Sequence, residues 1–409
     1  MAERLRPKNA DELLDAVKWA VAEASPLEVI GAGTKRAFGR PSQADHTLDI
    51  SRLAGIGLYE PNELVLGAAA GTPIVEIEAV LEAERQMLAF EPPDLGPLLG
   101  AQAGAHTLGG VVACNLSGPR RIKAGAARDH FLGFTAVSGR GEAFKAGGRV
   151  VKNVTGYDIC KLIAGSYGTL AVMSALTVKV LPAPEKTRTV LVFGLDDARA
   201  GEAMTAGLGS AHEVSGAAHF PASVAARSGV SYVSETGAAV TALRVEGPGP
   251  SVEHRCAALR DLLGNFGANE ELHGHNSAAF WREVRDVSAF VGGGEGRLLW
   301  RISVAPSAGA GVVAAIAQAG GEIEALYDWG GGLVWLALPV REDAGAAVVR
   351  AAVEASGGHA TLFRAPADIR AAFEVFQPQD KALAGITARL KENFDPNGVL
   401  NPGRMYAGV

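Results

Sequence analysis

Three glycine-rich stretches hold the residues of this 409-residue chain whose types and spacing suit chemistry. Gly31-Ala32-Gly33-Thr34-Lys35 follows a short apolar run, Leu27-Glu28-Val29-Ile30. Glycine permits positive φ and exposes backbone N–H groups, and together these cradle a phosphate. A phosphate on a helix end would need a helix to start at once and a third glycine at position 36. Arg36 stands there, and Gly39-Arg40-Pro41 reads as loop. A loop-held pyrophosphate is one reading and a plain turn is the other. Thr107-Leu108-Gly109-Gly110 runs through apolar residues to Cys114 and Asn115. Its paired glycines let a flat ligand approach the backbone, and Asn115 offers both a donor and an acceptor. Gly165-Ser166-Tyr167-Gly168 is a third tight turn, leading into the apolar run Leu170–Leu181. Three such places ask for a large ligand with several parts; compact packing of small residues is the rival account.

Other residue groups point to less. His273-Gly274-His275 would set two imidazoles on one face of a strand, but no third metal ligand accompanies them. Cys114, Cys160 and Cys256 form no CxxC, so they supply no four-thiolate cluster, and their odd number argues against a secreted disulfide scaffold. Arg120-Arg121-Ile122-Lys123 is a basic patch, read either as a solvated turn or as a local anion contact. The formal charge is 38 minus 44, or -6, which argues against a polyanion-binding surface and against nucleic acid as a partner. The first residues lack the apolar run of a signal peptide, and no 18-residue uncharged apolar run exists. The expectation is a cytoplasmic protein without a transmembrane segment, reaching the inner face of the cell membrane only through partners.

The elements that must position these residues follow from periodicity and punctuation. Apolar residues at 48 % and charged residues at 20 % are globular values, and the length exceeds what one core usually supports. Asn9 with Glu12 predicts a capped helix through Leu13, Leu14, Val17 and Val21. Strands are expected at 27–30, 47–50 and 170–181, with Thr72 capping a helix that Pro73 opens. Asp158 predicts a short helix through Ala164. Pro182 and Pro184 mark a boundary. Beyond it the order β-α-β-β-α-β is expected twice. The first copy is strand 187–195, helix 197–209, strands 212–219 and 231–246, helix 251–264 and strand 268–272. The second is strand 298–304, helix 308–319, strands 322–328 and 332–338, helix 342–355 and strand 359–363. Two such split βαβ units suit one antiparallel sheet with helices on one face. Trp281, Trp300, Trp329 and Trp335 read as core or as partner surface. A helix over 380–394 and two turns, Asp395–Gly398 and Asn401–Arg404, close the chain.

With these motifs the sequence resembles the FAD-linked oxidases of the vanillyl-alcohol oxidase, or PCMH, type. The matching stretches are Gly31–Thr34, Thr107–Asn115, Gly156-Tyr157-Asp158, Gly165–Leu170 and Phe394–Gly403. Within the family, Asn153-Val154-Thr155-Gly156-Tyr157-Asp158 through Leu162, and Leu299–Val304, are similar to the FAD-binding subunits of glycolate oxidase. The resemblance implies an α+β fold: a two-lobed PCMH-type FAD-binding domain over 1–183, a cap domain of ferredoxin-like units over 184–370, and a tail, 371–409, returning to the FAD domain. It implies that Gly31, Gly33, Thr34 and Lys35 touch a pyrophosphate. Thr107, Gly109, Gly110 and Asn115 would lie along pyrophosphate and flavin, Gly165, Gly168 and Val172 by ribityl and adenine, and Asn401 toward the ring. Ala171 and Tyr167 depart from the family's usual Gly and Glu. Residues 34–39 contain neither His nor Cys, so non-covalent FAD is expected.

The resemblance also implies partners, a catalytic FAD subunit and an iron–sulfur subunit, and a small 2-hydroxy acid as the substrate of the complex. Related catalytic subunits carry a His-bearing motif where this chain has Tyr327-Asp328-Trp329-Gly330-Gly331-Gly332-Leu333-Val334-Trp335. No base is evident for removing the hydroxyl proton. Arg301 is the candidate for a substrate carboxylate, against a solvated or structural role. Three accounts therefore stand: an FAD-binding subunit of a glycolate-oxidising complex, a self-sufficient FAD-dependent 2-hydroxy-acid dehydrogenase, and a scaffold with a structural flavin site.

Overall fold

The computed structural model describes residues 4–149, 156–292 and 296–409. Asn153, Val154 and Thr155 of the family resemblance lie outside the described residues. The chain divides into two compact units. One takes the described residues of Met1–Ser117, Gly125–Ala183 and Glu374–Val409, and the second takes Gly118–Ala124 and Pro184–Phe373.

The first unit opens with a parallel sheet of β1 (Arg4–Leu5), β2 (Leu27–Ile30) and β3 (His46–Asp49), in the order β1-β3-β2. The helix Ala10–Ala22 precedes β2. Asn9 Oδ1 accepts from Glu12 N at 2.8 Å, and Leu13, Val17 and Ala20 form its buried stripe. An antiparallel sheet of β4 (Ile56–Glu60), β5 (Val65–Ala69), β7 (Phe131–Ser138), β8 (Ala143–Gly147) and β9 (Ala171–Lys179) follows, in the order β4-β5-β9-β7-β8. Strand β6 (Gln86–Met87) pairs with β10 (Leu181–Pro182). Of this sheet only β9 was expected. Strands β4, β5 and β8 are only five residues long, and the glycines within or beside these strands and β7 hide the alternation that marks a strand.

One cap differs from expectation. Pro73, not Thr72, flanks the helix Ile74–Ala83. The Thr72 hydroxyl instead donates to Ala69 O (2.7 Å) and accepts from Gly55 N (2.9 Å), tying two turns together. The helix Ile159–Ile163 starts at Asp158, whose carboxylate accepts from Lys161 N.

The second unit is one eight-stranded sheet in which every pairing is antiparallel. Its strands are β11 (Lys186–Phe193), β12 (Gly216–Phe220), β13 (Val240–Gly247), β14 (Asn269–His273), β15 (Arg297–Ser303), β16 (Glu324–Asp328), β17 (Leu333–Pro339) and β18 (His359–Arg364). The order β14-β11-β13-β12-β16-β17-β15-β18 is two β-α-β-β-α-β units joined edge to edge through His219 and Tyr327. The helices Asp197–Leu208 and Gly249–Leu263 cover the core of the first of these two repeats, Val190, Val192, Leu243, Val245 and Leu259.

Three expectations fail here. Residues 231–246 are not one strand: Ser231–Ser234 form a helical turn around buried Val233, Gly237 takes φ 64°, and β13 begins at Val240. His273 ends β14 while His275 lies in the helix Gly274–Asp286, so the two imidazoles share no strand face. That helix was missed; Ser277, Phe280, Trp281 and Val284 are its buried stripe. All four tryptophans from 281 to 335 are buried, which selects the core reading over a partner surface. Trp281 donates to Thr189 Oγ1 at 2.7 Å, Trp300 to Ala344 O at 3.0 Å and Trp329 to Gly118 O at 3.0 Å.

The excursion Gly118–Ala124 is bound into this unit by charge. Arg120 grips Glu246 with two hydrogen bonds, of 3.0 and 2.9 Å, and buried Arg244 lies 3.6 Å from the same carboxylate. Burial opposes ionisation of Glu246, but Arg244 and Arg120 outweigh it and hold its pKa down at about 2. A depressed folded pKa contributes stability that is complete at neutral pH and is lost as the pH falls toward that value. Glu246→Gln leaves Arg244 buried without its counter-charge, and a loss of about 3–5 kcal/mol is expected at pH 7. Denaturant titrations should show the gap between variant and parent closing as the pH drops below the ordinary carboxylate range.

Candidate functional site: a glycine-lined pocket in the first unit

Four separated segments of the first unit converge on one pocket: the loop after β2, the helix Leu108–Ala113 with its cap Thr107, the turn before β9 and the closing turn of the chain. The pocket has about 740 Å³ not filled by protein atoms, part of it open to solvent. Gly31, Gly33, Thr34, Lys35, Thr107, Gly109, Gly110, Gly168, Val172 and Asn401 all line it. Asn115 and Gly165 do not. Asn115 turns away at φ 48°, with Oδ1 accepting from Arg128 N at 3.1 Å, and Gly165 N donates to Val112 O behind the wall. Arg301 lies on β15 of the second unit.

The close approach of the segments requires glycine at two places. A Cβ on Gly31 would stand 2.5 Å from Thr107 Oγ1. Gly168 takes φ 71°, and a Cβ there would stand 2.8 Å from Asn401 Nδ2. Thr107 caps the helix Leu108–Ala113 by accepting from Gly110 N, which fixes the paired glycines against the pocket.

Asn401 joins the walls. Its Oδ1 accepts from Val29 N and its Nδ2 donates to Tyr167 O, each at 2.8 Å. Behind it, the buried Lys391 ammonium donates to Thr169 O and Leu400 O at 2.8 Å and to Asp395 Oδ2 at 2.7 Å. Burial pushes the Lys391 pKa below its ordinary value, against the opposing pull of Asp395.

The pocket is electropositive. Lys35 reaches only Thr34 Oγ1, at 3.4 Å, and burial lowers its pKa; Cys114 and Asp94 work the other way. Arg404, nearly buried, donates to Lys35 O at 2.7 Å. Among the described residues, no group of the chain accepts from the backbone N–H groups of Ala32, Gly33, Thr34 and Lys35. Orphan donors beside two cations suit a phosphate chain, so these residues fit the pyrophosphate of a dinucleotide. Sequence reasoning missed Arg404, Cys114, Tyr167 and Met173 in the lining. Arg404 had a signal, as the one charge in the turn Asn401–Arg404; the others had none.

Fold and pocket together define a PCMH-type FAD-binding flavoprotein. Residues 2–147 match the FAD binding domain family. The fold is similar to 4-ethylphenol oxidase from Gulosibacter chungangensis, with a TM-score of 0.72 at 13 % identity over 99 % of this chain and 89 % of that one. It is also similar to p-cresol methylhydroxylase, with a TM-score of 0.69 at 14 % identity over 98 % and 88 %. In sequence, the chain is 36 % identical over 395 residues to the glycolate oxidase subunit GlcE of Escherichia coli (strain K12), across 97 % of each chain. It is 29 % identical over 190 residues to the glycolate oxidase subunit GlcD of Bacillus subtilis (strain 168), 46 % of this chain and 39 % of that one. The chain belongs to the GlcE family of PCMH-type FAD-linked oxidoreductases, whose FAD is held without a covalent bond.

Among the described residues, no helix is long and apolar enough to cross a membrane, and no group of three His, Cys, Asp or Glu side chains could hold a metal ion. Asn401→Ala removes both bridges between the pocket walls, each worth about 1 kcal/mol or more. Fluorescence titration with FAD should show affinity about tenfold weaker or worse, with the unfolding of the second unit unmoved.

Proposed function

We propose that the chain is the FAD-binding subunit of a glycolate oxidase complex, in which a catalytic FAD subunit and an iron–sulfur subunit complete the oxidation of glycolate to glyoxylate. The observation that carries this reading is the likeness to GlcE over 97 % of both chains, since that relative is itself a subunit of a glycolate oxidase. Likeness to GlcD covers less than half of this chain, which supports a division of work between two related flavoproteins. The hairpin of β16 and β17 carries no His in Tyr327–Trp335, which agrees with that division. Domain roles follow: an FAD-binding part over 1–183, a cap over 184–370 and a tail over 371–409.

Oxidation of glycolate releases a hydride from its α-carbon and a proton from its hydroxyl. When bound, FAD supplies a two-electron acceptor. The chain's own residues would hold it: the free N–H groups of 32–35 with the charges of Lys35 and Arg404 would take the pyrophosphate, Gly109 and Gly110 would leave room for the flat ring, and Asn401 keeps Val29 and Tyr167 in register. Gly31, Gly33, Thr34, Thr107, Gly168 and Val172 complete this assignment, while Asn115 and Gly165 brace the wall from behind.

Two measurements test the reading. The purified chain, reconstituted with FAD and desalted, should retain a flavin absorption band, and Lys35→Ala should weaken retention about tenfold. A tagged chain at native level should co-purify with a second flavoprotein and an iron–sulfur protein. A chain that never holds flavin sinks the cofactor assignment. Recovery only as a monomer or homo-oligomer from lysates that contain both candidates sinks the complex.

A further inference from the structure

Lys391 is a cation that the pocket does not use directly, since it is not part of the lining. It is nonetheless the buried residue of the helix Lys381–Phe394, while Leu383 and Ile386 of the same helix stay exposed. A surface helix normally buries an apolar stripe and leaves its lysines in water. Here the pattern is inverted, and the surroundings of the lysine give the reason.

Three oxygens meet at the ammonium. Thr169 O and Leu400 O accept from it at 2.8 Å, and Asp395 Oδ2 accepts at 2.7 Å. An ammonium has three N–H groups, so each has its acceptor. Among the described residues, no other group donates to Thr169 O or Leu400 O. Thr169, Leu400 and Asp395 are all buried. Without Lys391, two carbonyls would stand unpaired away from water, beside a carboxylate that repels them.

Both carbonyls lie one residue from the pocket. Thr169 follows Gly168 and Leu400 precedes Asn401, and Gly168 and Asn401 both line the pocket. The room between these two is small, because a Cβ on Gly168 would stand 2.8 Å from Asn401 Nδ2. Thr169 Oγ1 donates to Ser166 O at 2.7 Å, which stiffens the turn that carries Gly168. Asn401 can bridge Val29 N and Tyr167 O only while its own backbone is held beside that turn.

We propose that Lys391 is a positioning residue for the flavin cofactor: from behind the pocket, its ammonium clamps the turn carrying Gly168 to the turn carrying Asn401 and so sets the spacing of the walls that receive FAD. The inference deepens the residue assignment made above and rests on flavin occupying this pocket. The clamp calls for a compact cation with several N–H groups. A methionine of similar length fills the volume but donates nothing. A guanidinium has the charge but is planar and larger, so it does not replace three rotatable donors on one nitrogen.

The experiment measures FAD affinity by fluorescence titration for the full-length parent, Lys391→Met and Lys391→Ala, with thermal unfolding followed alongside. Lys391→Met is expected to keep the fold and to bind FAD about tenfold more weakly or worse. Lys391→Ala opens a space at the three oxygens, so methylammonium should restore part of its affinity in a saturable manner. Tetramethylammonium, with the same charge and no N–H, should restore none. A residue that only stabilised the fold would lower the unfolding temperature without this selective rescue. Three results overturn the proposal: parental FAD affinity in both variants, rescue that is absent or equal for the two ions, or loss of the fold in both variants, which would make Lys391 a residue of the scaffold alone. A parent chain that binds no FAD would end the cofactor assignment and this inference together, whereas a parent that binds FAD beside unaffected variants ends this inference only.

Discussion

A buried ammonium must be surrounded by oxygen, and in this chain that requirement decides how the end meets the beginning. Of the helix Lys381–Phe394, only Lys391 is buried. Its three hydrogen bonds go to the turn before β9, to the strand-like segment at Leu400 and to Asp395. Asp395 in turn accepts from Val399 N and Leu400 N, so the carboxylate is satisfied as well. A charge left without these partners would cost several kcal/mol. One residue past Leu400, Asn401 repeats the device with neutral groups, and the chain forms a parallel bridge between Leu400 and Leu27. The pocket wall exists because these contacts hold three remote segments at hydrogen-bond distance.

The second unit solves a different problem. Two β-α-β-β-α-β units pair one sheet edge each, β12 and β16, and form a single sheet whose outer strands are β14 and β18. The join leaves polar groups in its interior. Tyr327 donates to Asp197 at 2.5 Å, and His219, nearly fully buried, lies 3.3 Å from the same carboxylate and 2.9 Å from Thr241 Oγ1. Asp197 thus ionises more readily than an ordinary carboxyl despite its burial, through its bonds to His219 and Tyr327. Tyr327 of the second repeat thus pins it to Asp197 and His219 of the first. Specific polar pairs of this kind set register where a flat apolar sheet would leave it loose.

The two units also carry their charges differently. In the first, unused backbone donors beside Lys35 and Arg404 suit phosphate groups. In the second, the guanidiniums of Arg121 and Arg301 lie over the Trp329 indole, at 4.1 and 5.2 Å from its centroid.

Much of this was legible in the sequence, for local reasons. Caps such as Asn9, Asp158 and Asp380 act within four residues, so the helices they open could be named in advance. The order of both copies of the repeat was legible because apolar strands alternate there with helices of 9 to 15 residues whose spacing shows in the sequence, although 231–246 proved not to be one strand. The glycines of 31–33, 107–110 and 168 announced a ligand through backbone needs that no other residue meets. What the sequence left undecided depends on partners far along the chain. Strands β4, β5, β7 and β8 are fixed by pairing with β9 or with one another. The fates of Arg120, Arg121 and Lys123, alike in charge and close in sequence, diverge because Glu246, Trp329 and Glu213 lie more than eighty residues away. Asn115 was expected in the pocket but turns behind it to accept from Arg128 N. Local composition determined which elements form and which loops can approach a ligand. Only tertiary packing decided which charge faces which partner, since that depends on distances the order of residues does not contain.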